Sequence, residues 1–276
     1  MPEFGGLVHF VRARREVVAP GEEYLRMVYR TTLVRNAERL AIVDYIADRT
    51  PFFYRPLEAI LSDFRSGLFM TAIKSTLSRL PTVVSFQESH FGEVVAGVFC
   101  HDVLNLRIIY SKLSMLTAEN TNAHKMDLVM YDPASNPVRI VFGEVKSSPK
   151  ERRGGVPAGH DASCYADLFN SFNAYDTADE QFDLTAARDH IDRLRGADQD
   201  AVRAALLPYS SSTTAYAGFV VIDDGTYSVE ETRVLRSRRN DKSFEVDLIC
   251  LESFSSVAQE VYGKLQSAIS AKDGAH

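Results

Sequence analysis

VRIVFGEVKSS, residues 138 to 148, opens as a buried strand should, with Val138, Ile140, Val141 and Phe142. It then places a carboxylate and an ammonium two residues apart, at Glu144 and Lys146. Side chains alternate along a strand, so the two charges share a face and continue the row of Val138, Ile140 and Phe142. No other lysine of the chain has an acid two residues before it. As a surface ion pair at a strand end the motif is worth only about 0–1 kcal/mol. As part of a larger set of charges it is chemistry.

Two segments rich in β-branched and aromatic residues precede this one, LRIIYSKLSML and KMDLVMYDP. Polar turn material, TAENTNAH and PASNP, separates the three, which gives strand, turn, strand, turn, strand. Asp127 is a lone carboxylate in the apolar run of the second segment, and antiparallel pairing can set it beside Glu144. Ahead of them, SFQESHFGEVVAGVFCHDVL predicts a helix over about 86–104, with Ser85 and Glu88 at capping-box spacing. Glu93 lies on it, and Ala96 and Gly97 on the same face are expected to let the helix approach the sheet closely. After the strands come helical runs (CYADLFNSFNAYD, then TAARDHIDRLRGADQDAVRAALLP), strands at AYAGFVVIDD and FEVDLICLES, and a last helix, SSVAQEVYGKLQSAIS. The class is α/β.

Before residue 81, apolar positions Leu25, Val28, Tyr29 and Leu33, then Leu40, Val43 and Ile46, recur at helical spacing. Residues 1–81 are therefore expected to be mainly helical after a short extended leader, and residues 82–276 to form the second domain, with the boundary near Pro81. The first region carries no catalytic pattern and is expected to serve partner docking.

Glu93, Asp127, Glu144 and Lys146 make a set of three carboxylates and one ammonium. Clustered carboxylates repel one another unless a cation joins them. Hard oxygen ligands suit Mg²⁺ or Mn²⁺, which also bind phosphate oxygens. Such an ion makes its water a nucleophile and stabilises charge on a phosphoryl group, while a lysine orients or deprotonates the water or balances charge. Such a set would make a phosphodiester-hydrolysis centre.

The chain has 276 residues and a formal net charge of −6, which excludes a free-standing nucleic-acid coat. Contact with nucleic acid then needs a local basic groove or a partner that grips. His124, in AHKMD, and Lys150, Arg152 and Arg153, beside Gly154 and Gly155, are candidates for phosphate contact; each also reads as ordinary turn or loop decoration. Arg233, Arg236, Arg238 and Arg239 form a second basic cluster between the last two strands, read equally as a charged connection. Asp132 before Pro133 is turn chemistry. Tyr165, Phe169, Phe172 and Tyr175 lie at helical spacing; they can stack bases, but such a stripe is more often core.

Three scattered cysteines, Cys100, Cys164 and Cys250, form no CxxC pair and fit a reducing, cytoplasmic setting. No segment has signal-peptide or membrane-spanning character. No GxxxxGK loop is present for ATP hydrolysis and no GxSxG for acyl transfer.

Helix with Glu93, strand, strand with Asp127, strand with EVK resembles the PD-(D/E)xK nuclease superfamily over about residues 85–150, and the later helix and strand agree with its restriction-endonuclease-like αβββαβ core. Met126 stands where the strict motif has proline, a mild departure. More narrowly, HKMDLVMYD, VFGEVKSS and the helical lead-in are similar to HamA, the nuclease family of Hachiman anti-phage defence. The resemblance implies a DNase effector that works with a helicase subunit, HamB. It implies that Asp127 and Glu144 hold Mg²⁺ or Mn²⁺, that Lys146 serves the attacking water, and that Glu93 is the helical acid. The alternative is a non-catalytic interaction subunit that keeps a degenerate nuclease fold.

Overall fold

The structure, a computed structural model, describes residues 6–18, 25–33, 39–115, 126–148, 164–191, 197–206, 214–227 and 244–273. Its strands are β1 (Val11–Val18), β2 (Leu25–Leu33), β3 (Arg107–Ser111), β4 (Leu128–Asp132), β5 (Arg139–Ser148), β6 (Thr214–Asp223) and β7 (Phe244–Leu251). They form one sheet in the order β1-β2-β7-β6-β5-β4-β3. The pairs β2/β7, β7/β6 and β6/β5 are parallel; β1/β2, β5/β4 and β4/β3 are antiparallel.

Helices cover both faces. On one lie α1 (Arg39–Tyr54), α4 (Val84–Asp102) and α9 (Phe254–Asp273); on the other, α6 (Cys164–Ala174), α7 (Thr177–Ile191) and α8 (Ala197–Ala205). Short helices α2 (Leu57–Arg65), α3 (Phe69–Leu77) and α5 (Lys112–Met115) complete the described set. The order α4-β3-β4-β5-α6-β6 is the expected αβββαβ core.

The central strands are apolar on both sides because both faces are covered. In β5, Val141 and Val145 join the α4 layer, and Ile140 and Phe142 the α6 layer. β6 divides the same way, Phe219 and Val221 against Val220 and Ile222. Tyr165, Phe169, Phe172 and Tyr175 are all buried in the second layer, so the aromatic stripe is core.

Three expectations need correction. Leu25–Leu33 is a strand, not a helix; its register runs from Leu25 opposite Phe244 to Leu33 opposite Leu251. The segment LRMVYRTTL is dense in β-formers, and its three-to-four spacing fits either period, so a partner strand decides. The sheet thus draws on chain from both sides of Pro81, while α1, α2 and α3 keep the rest of the first region helical. Second, Ser85 does not cap: α4 begins at Val84 after Val83, with no side-chain cap bond. Glu88 instead accepts a 2.6 Å bond from Ser255 Oγ, tying α4 to α9.

Third, Gly97 faces the Phe53 ring of α1, not the sheet. The close approach to β5 is at Gly92, where a methyl group would strike Ser147 Cβ and Oγ. Gly92→Ala is therefore expected to cost about 1–3 kcal/mol by overpacking. Ser147→Gly in the same chain removes the obstructing atoms and recovers part of that loss. Calorimetric melting of the two single variants and the double variant checks it, with non-additivity as the expected signature.

Candidate metal centre

The centre lies where β3 ends and β4 begins, alongside the interior of β5. Leu128 stands opposite Gly143 in the β4/β5 ladder, which brings the preceding Asp127 level with Glu144. Asp127 Oδ2 accepts a 2.8 Å hydrogen bond from the Val145 backbone N–H. Its Oδ1 accepts one of 3.1 Å from Lys112 Nζ, and its main-chain oxygen one of 2.8 Å from the Lys112 N–H. Glu144 Oε1 accepts a 2.7 Å bond from Lys146 Nζ. Two carboxylates thus sit side by side, each with its own ammonium, and both are buried.

Glu93 comes from α4 in the neighbouring layer. Its Oε2 is buried without a hydrogen-bond partner. Burial first, and then the charge of Asp127, raise its pKa well above the usual carboxylate range; Lys112 and Lys146 oppose the shift. Glu144 is pushed up to about 7, again by burial first and by Asp127 second. Lys146 is held above its ordinary value: burial works against its charge, but Glu144 and Asp127 outweigh it. Lys112 is raised in the same way, against burial, by Asp127, Glu93 and Glu144. Low dielectric makes each of these charges depend on the others.

The four expected catalytic residues are therefore gathered in one electrostatic unit. Among the described residues, no three His, Cys, Asp or Glu side chains converge to cage a metal. Asp127 and Glu144 are a pair. A magnesium ion commonly takes one or two carboxylates and fills its remaining positions with waters and phosphate oxygens, so this donor set fits it. His124, Lys150, Arg152 and Arg153 lie outside the described residues, as do Arg233, Arg236, Arg238 and Arg239. Asp132 does what its turn requires, accepting from the Ala134 N–H at 2.9 Å.

Sequence reading missed three supports. Lys112 follows β3 directly, and its pairing with Asp127 is visible only once β3 and β4 are aligned. His90 stands one helical turn before Glu93, the one signal that was open to inspection. Its Nδ1 shares a 2.9 Å hydrogen bond with Tyr54 Oη, which in turn meets Tyr262 Oη at 2.9 Å. Burial first and Lys112 second push its pKa down to about 4. Asp183, on α7 and fully buried, accepts from Tyr110 Oη (2.9 Å), Tyr175 Oη (2.9 Å) and the Met126 N–H (3.1 Å). It pins the residue before Asp127, and no sequence pattern announces it.

A family model matches residues 16–265, spanning most of the chain. The chain belongs to the HamA family. HamA proteins are components of the Hachiman defence system, so this chain is a Hachiman component. No curated protein matches it. Among the described residues no helix is long and apolar enough to cross a membrane.

Two outcomes are expected from this HamA centre. Glu144 binds its proton more tightly folded (about 7) than unfolded (4.5), so the stability it contributes is complete below pH 4.5 and is lost as pH rises through 7. His90 has the opposite sign, but its effect is confined below its unfolded value of 6.5. Between pH 6.5 and 8 the ion-free protein should therefore lose stability through Glu144 and, with the same sign, through Glu93, and Glu144→Gln should lessen that slope in melting curves without abolishing it. Asp183→Asn puts an amide donor among three donors. It should cost about 1–3 kcal/mol in denaturant titration by loosening the hold on Met126.

Proposed function

We propose that this HamA-family chain is a Mg²⁺- or Mn²⁺-dependent nuclease that hydrolyses DNA phosphodiester bonds as the effector of a Hachiman complex with a helicase subunit. The observation that carries the reading is the placing of Asp127, just before β4, level with Glu144 inside β5, with Lys146 bonded to Glu144. Buried carboxylates placed side by side are costly to stability and need a purpose.

Asp127 and Glu144 hold the ion, and the Val145 N–H fixes the Asp127 carboxylate so that its other oxygen faces the site. A bound magnesium supplies Lewis-acid charge against a phosphoryl oxygen. Lys146 is held as an ammonium by its neighbours, so it acts as a donor that orients water and offsets developing negative charge. Glu93, whose carboxyl is raised by burial, serves as a neutral neighbour that keeps a third negative charge off the pair. The end of the first region and the start of α4 suit docking of the partner: they expose Phe69 and Met70, then Val84 and Phe86, side chains of the kind that mark interaction surfaces. The acidic net charge also suits a subunit whose hold on DNA comes from elsewhere.

A second reading, an interaction subunit with a degenerate nuclease fold, is favoured by one observation: both carboxylates are already neutralised by lysines. Incubation with plasmid, linear and single-stranded DNA, with Mg²⁺, Mn²⁺ or EDTA and with or without the helicase subunit, separates the two. Cleavage should require the divalent ion and fall at least about 100-fold in Glu144→Ala and in Lys146→Ala. Cleavage that survives both substitutions removes the assigned centre, and silence with the helicase present leaves the interaction reading.

A further inference from the structure

Lys112 has no part in the acid-x-lysine motif, yet it is tied to the centre at two points. Its backbone N–H and its Nζ both bond Asp127, at 2.8 and 3.1 Å. The first bond extends the β3/β4 ladder one step beyond Ser111 opposite Leu128, so strand pairing itself sets where the ammonium stands. Its charge also acts on Glu93, Glu144 and His90.

A lysine carries its ammonium at the outer end of a long stem, and the Lys112 side chain is 22% exposed against 7% for Asp127. The other pair repeats the asymmetry, with 25% for Lys146 against 6% for Glu144. The carboxylates form the floor of the centre and the two ammoniums its solvent-facing rim. A floor of oxygens draws a cation, and a rim of ammoniums draws the anionic backbone that must lie above it.

We propose that Lys112 is a DNA-phosphate-binding residue of this centre, which neutralises Asp127 only until a divalent cation does so. The inference rests on the nuclease reading and deepens it. When a cation takes Asp127 Oδ1, the ammonium loses its partner while its stem stays tethered through the backbone. A strand phosphate at the rim then replaces the carboxylate as its acceptor. No proton changes hands.

The test uses the full chain with Ca²⁺ in place of Mg²⁺, so that a fluorescent DNA duplex is bound without being consumed. Anisotropy titrations over a range of salt are run on wild type, Lys112→Met and Lys112→Arg, and Mn²⁺ binding is measured by calorimetry without DNA. Lys112→Met should weaken duplex binding about tenfold and lower the salt slope by about one phosphate equivalent. Mn²⁺ binding should stay the same or tighten, because the methionine no longer competes for Asp127. Lys112→Arg should retain most of the affinity.

Unchanged duplex affinity and salt slope in Lys112→Met would falsify the proposal and leave Lys112 a counter-ion. Loss of Mn²⁺ binding together with a lowered melting temperature also overturns it, in favour of a structural role. If Lys112→Met binds as wild type while Glu144→Ala still abolishes cleavage, only this inference falls. If wild type binds Mn²⁺ but no duplex, this inference falls; if it binds no Mn²⁺, the nuclease reading falls with it.

Discussion

The carboxylate of Asp127 joins three strands. One oxygen takes the Val145 N–H of β5, the other takes the ammonium of Lys112 at the end of β3, and its main-chain oxygen takes the Lys112 N–H. Asp127 sits just before β4, where the ladder to β5 gives out and backbone donors would otherwise lack acceptors. A single acid thus completes the hydrogen bonding at the sheet's edge and puts charge where charge is useful. Asp183 secures the arrangement from the opposite layer by holding Met126 through its N–H. Burial and Asp183 together keep Tyr110 and Tyr175 protonated, so both remain donors to it.

The centre balances its charge internally. Three carboxylates, Glu93, Asp127 and Glu144, face two ammoniums, Lys112 and Lys146. Burial cannot tolerate the surplus negative charge, so the excess appears as upward shifts at Glu93 and Glu144. Under the proposed function, a divalent ion would reverse the sign of that surplus, and a phosphodiester would bring the ionised set to neutrality. This accounts for two lysines where the sequence motif supplies one.

The legible parts of this chain were those whose pattern is local. β5 announced itself because both its faces are covered, so apolar residues run continuously until Glu144 interrupts them. The αβββαβ order followed from turn chemistry between short apolar segments. β2 was not legible because its partner, β7, lies at the far end of the chain, Leu25 opposite Phe244. With the partner unknown, a spacing that fits both periods was assigned to the helix. The close contact of α4 with β5 was foreseen, but at the wrong small residue: Gly97 and Gly92 lie on different sides of the helix, and only the neighbours, Phe53 and Ser147, tell them apart. Lys112 and Asp183 are through-space partners of Asp127 and Met126, and no spacing along the chain encodes them.

The choice of lysine at both rim positions follows from what each must do. An arginine fork would grip Asp127 or Glu144 in two-point geometry and leave the ion to compete with two hydrogen bonds at once. A lysine is a point charge on a flexible stem, holding one oxygen through one bond, as Lys112 and Lys146 do. It neutralises a buried carboxylate and, under the proposed function, would release it with little geometric penalty to a divalent cation. The same stem lets the ammonium turn outward by a rotamer change, so the backbone of β3 and β5 need not move.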